Sequence, residues 1–309
     1  MSTMNIHLLS EVLRKEGWSL VSIESGRGML FDIIAKKDDI IILIKCVSNV
    51  DSIKRDIARD LISISRVLNA TPIIIAEYSL YGPLMDGVVY SRYNIPVLTL
   101  GTFIEYIQGR KPVAYAGRGG IYVRLNGEKL REKRVLRGYS LGNVAYYCNV
   151  SRKAIIEYEK GMDAEITVAE KLENLFGNEI FLEIDVIKEW GSLLGSMKPK
   201  EEVESIVGQK LCSVGLKVVE SKRDPVNIVT LNDEEKFEDV SLVGKIEKGR
   251  AYDQAVQILK AISDFINFHA VLFVKRVTYK QSLGGVRLIN IKELMRIEDI
   301  EDLLELLRQ

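Results

Sequence analysis

Ser151, Arg152, Lys153, Glu157 and Lys160 stand close together in SRKAIIEYEKG, and their types suit hydrogen bonding better than bond breaking. An arginine donates a bidentate pair to the edge of a guanine, a lysine does so less rigidly, and a glutamate accepts from a cytosine amine. Ser151 offers its oxygen to the helix's own first turn and its hydroxyl to a phosphate, and Lys160 supplies a further phosphate contact. Such groups read a duplex only when a helix start holds them against base edges. The surrounding residues must therefore build that helix and brace it.

Spacing supplies the brace. Over 127–161 a first amphipathic helix carries Leu130, Val135 and Leu136 at its apolar positions and stops at Gly138. Ser140 is placed to cap a second short helix, which runs through Val144 and the small Ala145 to Cys148. Asn149 and Val150 form the turn, because asparagine tolerates left-handed backbone. Ser151 caps the third helix, Arg152 to Lys160, which buries Ile155 and Tyr158 and ends at Gly161. The order of bracing helix, turn and reading helix predicts entry into a DNA groove.

Charge and composition narrow the classes. The segment 127–161 holds eight basic residues against four acidic ones, while the whole chain balances 43 against 43. A local excess on a neutral protein marks one face for phosphate. Only His7 and His269 occur, so a histidine-based triad or a histidine-rich metal centre is not expected. Cys46, Cys148 and Cys212 are scattered and odd in number, which reads as reduced thiols in a cytoplasm. No stretch is apolar enough for a membrane span. MSTMNIHLLSEVLRKEG carries charge where a secretion signal needs apolar residues, so export is not expected. GRGGIYV at 117–123 lacks the Lys-Ser/Thr ending of a P-loop and reads as a hairpin turn. Arg110, Lys111, Arg118 and Arg124 lie on or beside it, as a wing that touches phosphate or, by preference, a basic linker.

The 127–161 segment resembles the Cro/C1-type helix-turn-helix family. MDAEITVAEKLENLFG, after Gly161, matches that family's next helix, with Val168, Leu172 and Leu175 toward the core. The resemblance implies an internal ion pair between Arg134 and Glu159. Leu141 stands where the family has a glutamine, and Ile156 where it has a polar residue.

A long-period repeat flanks this segment. The first copy reads helix from Leu8, glycine stop at Gly17, strands to Cys46, helix 51–70 and strand 72–77. The second reads helix from Val203, stop at Gly215, strands to 231 and over 240–246, helix 251–269 and strand 270–275. Ile44-Lys45-Cys46 aligns with Gly244-Lys245-Ile246, and 65–69 with 263–267. The tail 86–107 aligns with 284–307, pairing Asp86-Gly87 with Gly284-Gly285. Near-continuous apolar runs such as DDIIILIKC predict strands covered on both faces. In the 51–70 helix, Ile53, Ile57, Leu61, Ile64 and Leu68 form one stripe. Lys54, Arg55, Arg59 and Arg66 lie opposite, as a solvated face or an aid to wrapping DNA.

The repeated unit resembles the core of restriction-endonuclease-like domains. The resemblance implies an Asp on one strand and a Glu/Asp-X-Lys on the next, which together hold a divalent cation against a scissile phosphate. Asp32 and Lys45 fit its outer positions, but Leu43 fills the intervening carboxylate position. In the second copy Asn227, Val243 and Lys245 stand there, with Asp224 nearby. Both copies thus read as degenerate scaffolds without a metal, unless Glu11, Asp38 or Asp39 restores the first.

As a whole the chain resembles a family of archaeal HTH-type transcriptional regulators. The expected fold is two restriction-endonuclease-like α/β sandwiches plus an all-α Cro/C1-type helix-turn-helix domain. The expected domains are 1–108 and 203–309 for the two α/β copies and 127–190 for the helix-turn-helix, with a basic hairpin or linker at 109–126 and a joint at 191–202. The expected function is sequence-specific regulation of transcription on double-stranded DNA by a cytoplasmic homodimer, without cofactor or membrane. The α/β copies are left for dimerisation or for sensing an unidentified small-molecule effector. The alternatives are a metal-dependent nuclease using Asp32 and Lys45, and a non-catalytic interaction scaffold.

Overall fold

The computed structural model describes residues 3–23, 28–195, 203–231, 241–247, 253–275 and 282–308. Residues 196–202 of the expected joint lie outside them, as do residues 240 and 251–252, the expected first residues of a strand and a helix. The chain divides into two compact units. One comprises 1–47, 51–74 and 190–309; the other comprises 48–50 and 75–189.

The first copy opens with α1 (Thr3–Lys15), β1 (Ser19–Ser22), β2 (Ile33–Lys37) and β3 (Ile40–Asn49). It continues with α2 (Arg55–Val67), β4 (Ala70–Ser79), β5 (Gly82–Pro83), β6 (Val88–Arg92), β7 (Ile95–Leu98) and α3 (Leu100–Ile107). Strands β1, β2 and β3 pair antiparallel, with Ile33 opposite Ile44. β-branched side chains fit this pleated, covered surface, and Ile33, Ile34, Ile42, Leu43 and Ile44 are fully buried. Each such side chain contributes about 1.5–3 kcal/mol relative to exposure.

The helical part follows: β8 (Ala114–Gly117), β9 (Gly120–Val123), α4 (Gly127–Leu136), α5 (Leu141–Cys148), α6 (Arg152–Glu159), β10 (Ala164–Glu165), α7 (Ile166–Phe176) and α8 (Val186–Gly195). Helix α8 therefore occupies 191–195, where the sequence suggested a flexible joint. Leu130, Val144, Cys148, Ile155, Leu172 and Phe176 are buried in one core with Ala114, Val123 and Ala164 of the three short strands. Val168 and Leu175 are partly buried against it. Val135 and Leu136, expected at apolar positions, are instead 61% and 87% exposed. They follow Leu130 by five and six residues, about 140° and 240° around the helix from it, and so face away from the core that Leu130 enters.

The second copy has α9 (Ile206–Ser213), β11 (Lys217–Glu220), β12 (Ile228–Leu231), β13 (Leu242–Glu247), α10 (Asp253–Ile266), β14 (His269–Val274), β15 (Ser282–Leu283), β16 (Val286–Asn290), α11 (Ile291–Leu294) and α12 (Ile300–Arg308). Its strand order, β11-β12-β13-β14-β16-β15, repeats the order β1-β2-β3-β4-β7-β6 of the first copy. Left-handed residues recur at matching helix ends, at Gly17 and Gly215 and at Asn69 and Asn267. One alignment is corrected. Gly284 and Gly285 carry positive φ in the turn before β16, and so do Tyr93 and Asn94 before β7. The glycine pair therefore matches Tyr93-Asn94, not Asp86-Gly87.

Within the first unit the two copies pack on each other reciprocally. Helix α2 lies on β11 and β12, and its counterpart α10 lies on β1. The Leu30 amide donates to the Asp224 carbonyl at 2.6 Å, Ser221 Oγ bonds Asp60 Oδ2 at 3.2 Å, and Arg223 pairs with Asp56 at 3.1 Å. Helix α2 is consequently buried on two faces, with Asp60, Ser63 and Ser65 inside as well as Leu61 and Ile64. Lys54, Arg55 and Arg59 stay exposed, whereas Arg66 is half-buried.

Candidate nucleic-acid interface

Local chemistry sets the ends of α5 and α6. Ser140 accepts from the Asn143 amide at 3.0 Å while the Asn143 side chain accepts from the Ser140 amide at 3.0 Å, a reciprocal cap that satisfies two donors. Asn149 ends α5 in left-handed backbone, φ 58° and ψ 46°. Two residues later Ser151 caps α6 by accepting from the Ala154 amide at 3.1 Å. This turn sets the angle between the two helices, and Ile155 and Tyr158 hold α6 down by its buried face.

Glycine permits one close approach. A Cβ on Gly127, at the start of α4, would come within 2.5 Å of the Glu159 carbonyl oxygen at the end of α6. The same two helices are joined by a charge pair. The Arg134 guanidinium donates from Nε and Nη2 to both Glu159 carboxylate oxygens, and from Nη1 to the Tyr139 carbonyl at 3.0 Å. The side chains are only 13% and 10% exposed. The carboxylate raises the guanidinium's pKa further above its ordinary value. The pair thus positions α6 and leaves neither partner for an external ligand.

The outer surface of α6 presents Arg152, Lys153, Ile156 and Lys160 to solvent, with Glu157 half-buried. The Arg152 guanidinium lies along the start of α5, where a Cβ on Gly142 would sit 3.1 Å from its Nε. Lys160 donates to Glu157 at 3.0 Å across one turn, an exposed pair of little strength. Leu141 is partly buried against the core rather than turned to solvent. The structure thus brings Ser151, Arg152 and Lys153 together on one projecting turn, with Glu157 and Lys160 further along it.

A hairpin that sequence reasoning favoured as a linker adjoins this unit. Strands β8 and β9 pair antiparallel through the turn at Arg118-Gly119, and β9 pairs with β10, placing Tyr122 opposite Glu165. Strand β8 also pairs in parallel with β6. Tyr115 and Tyr122 face each other across the hairpin with ring centroids 6.0 Å apart, and the Arg124 guanidinium lies 5.8 Å from the Tyr115 ring. Tyr115 Oη donates to Asp163 at 2.7 Å. Burial and then that carboxylate push the phenol's pKa up to about 12, so it remains a donor. The sign in the sequence was one tyrosine, Tyr115 and Tyr122, in each of the short apolar runs on either side of GRGG.

The nuclease-like core is a second place where chemistry could reside. Asp32 Oδ2 accepts from the Cys46 amide at 2.6 Å, and Oδ1 accepts from Lys45 Nζ at 3.1 Å. Lys45 also donates to the Met29 carbonyl at 2.7 Å. The second copy repeats the first bond in neutral form, with Asn227 Oδ1 accepting from the Ile246 amide at 3.1 Å, while Lys245 pairs with Asp224 at 3.2 Å. Leu43 and Val243, at the intervening positions, are fully buried. Asp38 and Asp39 stand exposed on the turn at the far end of β2 and β3, and Glu11 is exposed on α1. No three metal-ligating side chains meet among the described residues. A divalent cation of the kind the fold implies does not fit these residues. Burial and the Asp32 carboxylate push the Cys46 thiol up to about 12, so it is no thiolate nucleophile near neutral pH.

Comparison with known proteins bears on both places. A family described as "PD-(D/E)XK superfamily domain" matches residues 3–112. A protein of Archaeoglobus fulgidus named "Putative HTH-type transcriptional regulatory protein" is 32% identical over 308 residues, covering 98% of this chain and 97% of its own. A similarly named protein of Thermoplasma volcanium is 34% identical, over 97% of this chain and 95% of its own. One of Pyrococcus horikoshii is 30% identical, over 98% and 96%. No solved structure matches the chain. Among the described residues no helix is long and apolar enough to cross a membrane.

Proposed function

The chain belongs to the archaeal family whose members carry that HTH-type regulatory name, and from this premise we propose that it is a sequence-specific DNA-binding regulator of transcription. Helices α5 and α6 are its Cro/C1-type helix-turn-helix, with α6 in the major groove of double-stranded DNA. The observation that carries the reading is the Ser151-Arg152-Lys153 turn. It is a basic, exposed helix start, held at a fixed angle by the Ser140 and Ser151 caps and the Arg134–Glu159 pair. Arg152 and Lys153 read base edges, Glu157 accepts from a cytosine amine, and Lys160 and the Ser151 hydroxyl meet phosphates. Because each chain carries one such module, two chains on a palindromic site supply the affinity that one lacks. The protein acts in the cytoplasm, and the α/β copies serve as the scaffold and as the place for any small-molecule effector.

Selection of bound sequences from a random duplex library, near physiological salt, tests this reading. A reproducible palindromic motif is expected. Arg152→Ala should relax one base position at a cost of about 1–3 kcal/mol. Lys160→Ala should weaken all sequences alike and flatten the salt dependence by about one unit. Equal losses on every sequence for both variants would refute the assigned readout. Failure to enrich any sequence would favour the protein-interaction scaffold.

The nuclease reading has one observation in its favour, the PD-(D/E)XK match over 3–112. Against it stand the hydrocarbon of Leu43 at a carboxylate position and the engagement of both Asp32 oxygens.

A further inference from the structure

We propose that the β8–β9 hairpin is a second DNA-contacting element, a wing whose tip sets Arg118 against the sugar-phosphate backbone beside the groove that α6 enters. The proposal rests on the DNA-binding reading above and extends it to a residue outside the three-helix core.

The first support is rigidity. A flexible tip would lose most of an electrostatic contact to the cost of ordering it. This hairpin is braced on both faces. Val123 and Ala114 enter the core that holds Val144 and Ile155. Tyr115 and Tyr122 pack across the strands, and the bond from Tyr115 to Asp163 ties the hairpin to the segment leaving α6. The Tyr122 hydroxyl donates to the Arg118 carbonyl at 3.1 Å, which clamps the turn itself.

The second support is reach. Strand β9 is paired with β10 only as far as Tyr122. The hairpin continues for two further paired rows before its turn, Ala116 with Ile121, which still pack on that core, and Gly117 with Gly120 beyond it. At about 3.3 Å per residue the turn stands roughly 7 Å beyond the last residue that β10 covers. Glycines at 117, 119 and 120 keep this end slender, and the positive φ of Gly119, +90°, closes the turn. Gly117 also makes room for the Tyr122 ring, since a Cβ there would lie 2.8 Å from it.

The third support is the distribution of charge. Four basic residues lie on or beside the hairpin, and three have acidic partners. Arg124 donates to both carboxylate oxygens of Glu189 at 2.8 and 2.9 Å, Lys111 pairs with Asp185 at 2.7 Å, and Arg110 reaches Glu105 at 3.5 Å. Arg118, exposed at the tip, has no acidic partner among the described residues. An isolated guanidinium on a narrow, rigid projection from a DNA-binding unit fits a phosphodiester oxygen, which it can engage with two N–H donors. Base edges are less suited, because one side chain at a glycine turn has no neighbours to fix its register.

The test uses the full-length protein and the selected duplex, or a mixed-sequence duplex if selection returns no motif. Loss of one phosphate contact lowers the slope of log affinity against log salt by about 0.9, roughly a sixfold loss near 0.15 M salt. Arg118→Ala should show this loss equally on all sequences, with the selected motif unchanged. Arg118→Lys should keep most of the slope. Hydroxyl-radical cleavage should show backbone protection flanking the motif that Arg118→Ala alone removes. Trimming those flanking base pairs should make wild type and Arg118→Ala bind alike. An unchanged slope and footprint in Arg118→Ala, while Arg152→Ala still relaxes the motif, would overturn the wing and leave the helix reading intact. If wild-type protein binds no duplex, both fail together.

Discussion

Arg134→Ala will destabilise the helical unit by about 3 kcal/mol, even though it removes a charge far from the reading turn. The guanidinium fills three acceptors at once, the two Glu159 oxygens and the Tyr139 carbonyl. Its removal leaves a carboxylate side chain only 10% exposed without a cation. Breaking one side of a shielded pair costs more than the pair is worth, because the desolvated partner remains. Replacing both partners, as in Arg134→Met with Glu159→Leu, should recover most of the loss. Thermal unfolding of full-length protein should show a transition lowered by on the order of 10 °C for the single variant. A shift under about 2 °C would mean that solvent already satisfies Glu159. DNA affinity should fall with stability, since the pair ties the end of α6 to α4.

Asp32→Ala should have a comparable cost in the other unit, about 3 kcal/mol. It strips the acceptor from the Cys46 amide and the partner from Lys45, whose side chain is only 13% exposed. Asp32→Asn should cost clearly less. Its carbonyl oxygen can still take the Cys46 N–H, as Asn227 takes that of Ile246 in the second copy. Urea midpoints of the two variants measure the difference, and equal losses would show that the backbone bond contributes little. The same proteins decide between regulator and nuclease. Supercoiled plasmid with Mg²⁺ or Mn²⁺ should survive wild type intact. Nicking by wild type that Asp32→Asn abolishes would establish an enzyme.

Legibility followed the range of the forces involved. Helix ends were readable because their determinants are local: a serine oxygen on its own third amide at Ser140 and Ser151, and an asparagine in left-handed backbone at Asn149. The repeat was readable for the same reason, through Gly17 and Gly215 and through the lysines at 45 and 245. It failed where one turn can be built from different residues. Matching glycine to glycine pointed at Gly87, whereas the chain uses Tyr93 and Asn94 to make the turn that Gly284 and Gly285 make later. The second buried face of α2 was invisible because its cover, β11 and β12, begins some 150 residues downstream. Ser63, Ser65 and Asp60 look like a polar face until that cover is known. Val135 and Leu136 show the opposite error, since apolar residues five and six places after Leu130 fall on the other side of a helix from it.

The reciprocal seating of α2 and α10 also has a consequence for synthesis. The first unit draws on both ends of the chain, with 75–189 inserted between them. The ribosome therefore finishes the second face of α2 only when β12 emerges, after on the order of ten seconds of further elongation. The helical unit, 48–50 with 75–189, is fully made by residue 189 and can close during that interval. Until then the nascent chain carries a half-covered helix and a sheet without its counterpart, a natural client for a holding chaperone. Chains arrested before residue 217 should lose α2 to protease while α5 and α6 resist; protection of both would mean that the first copy matures alone.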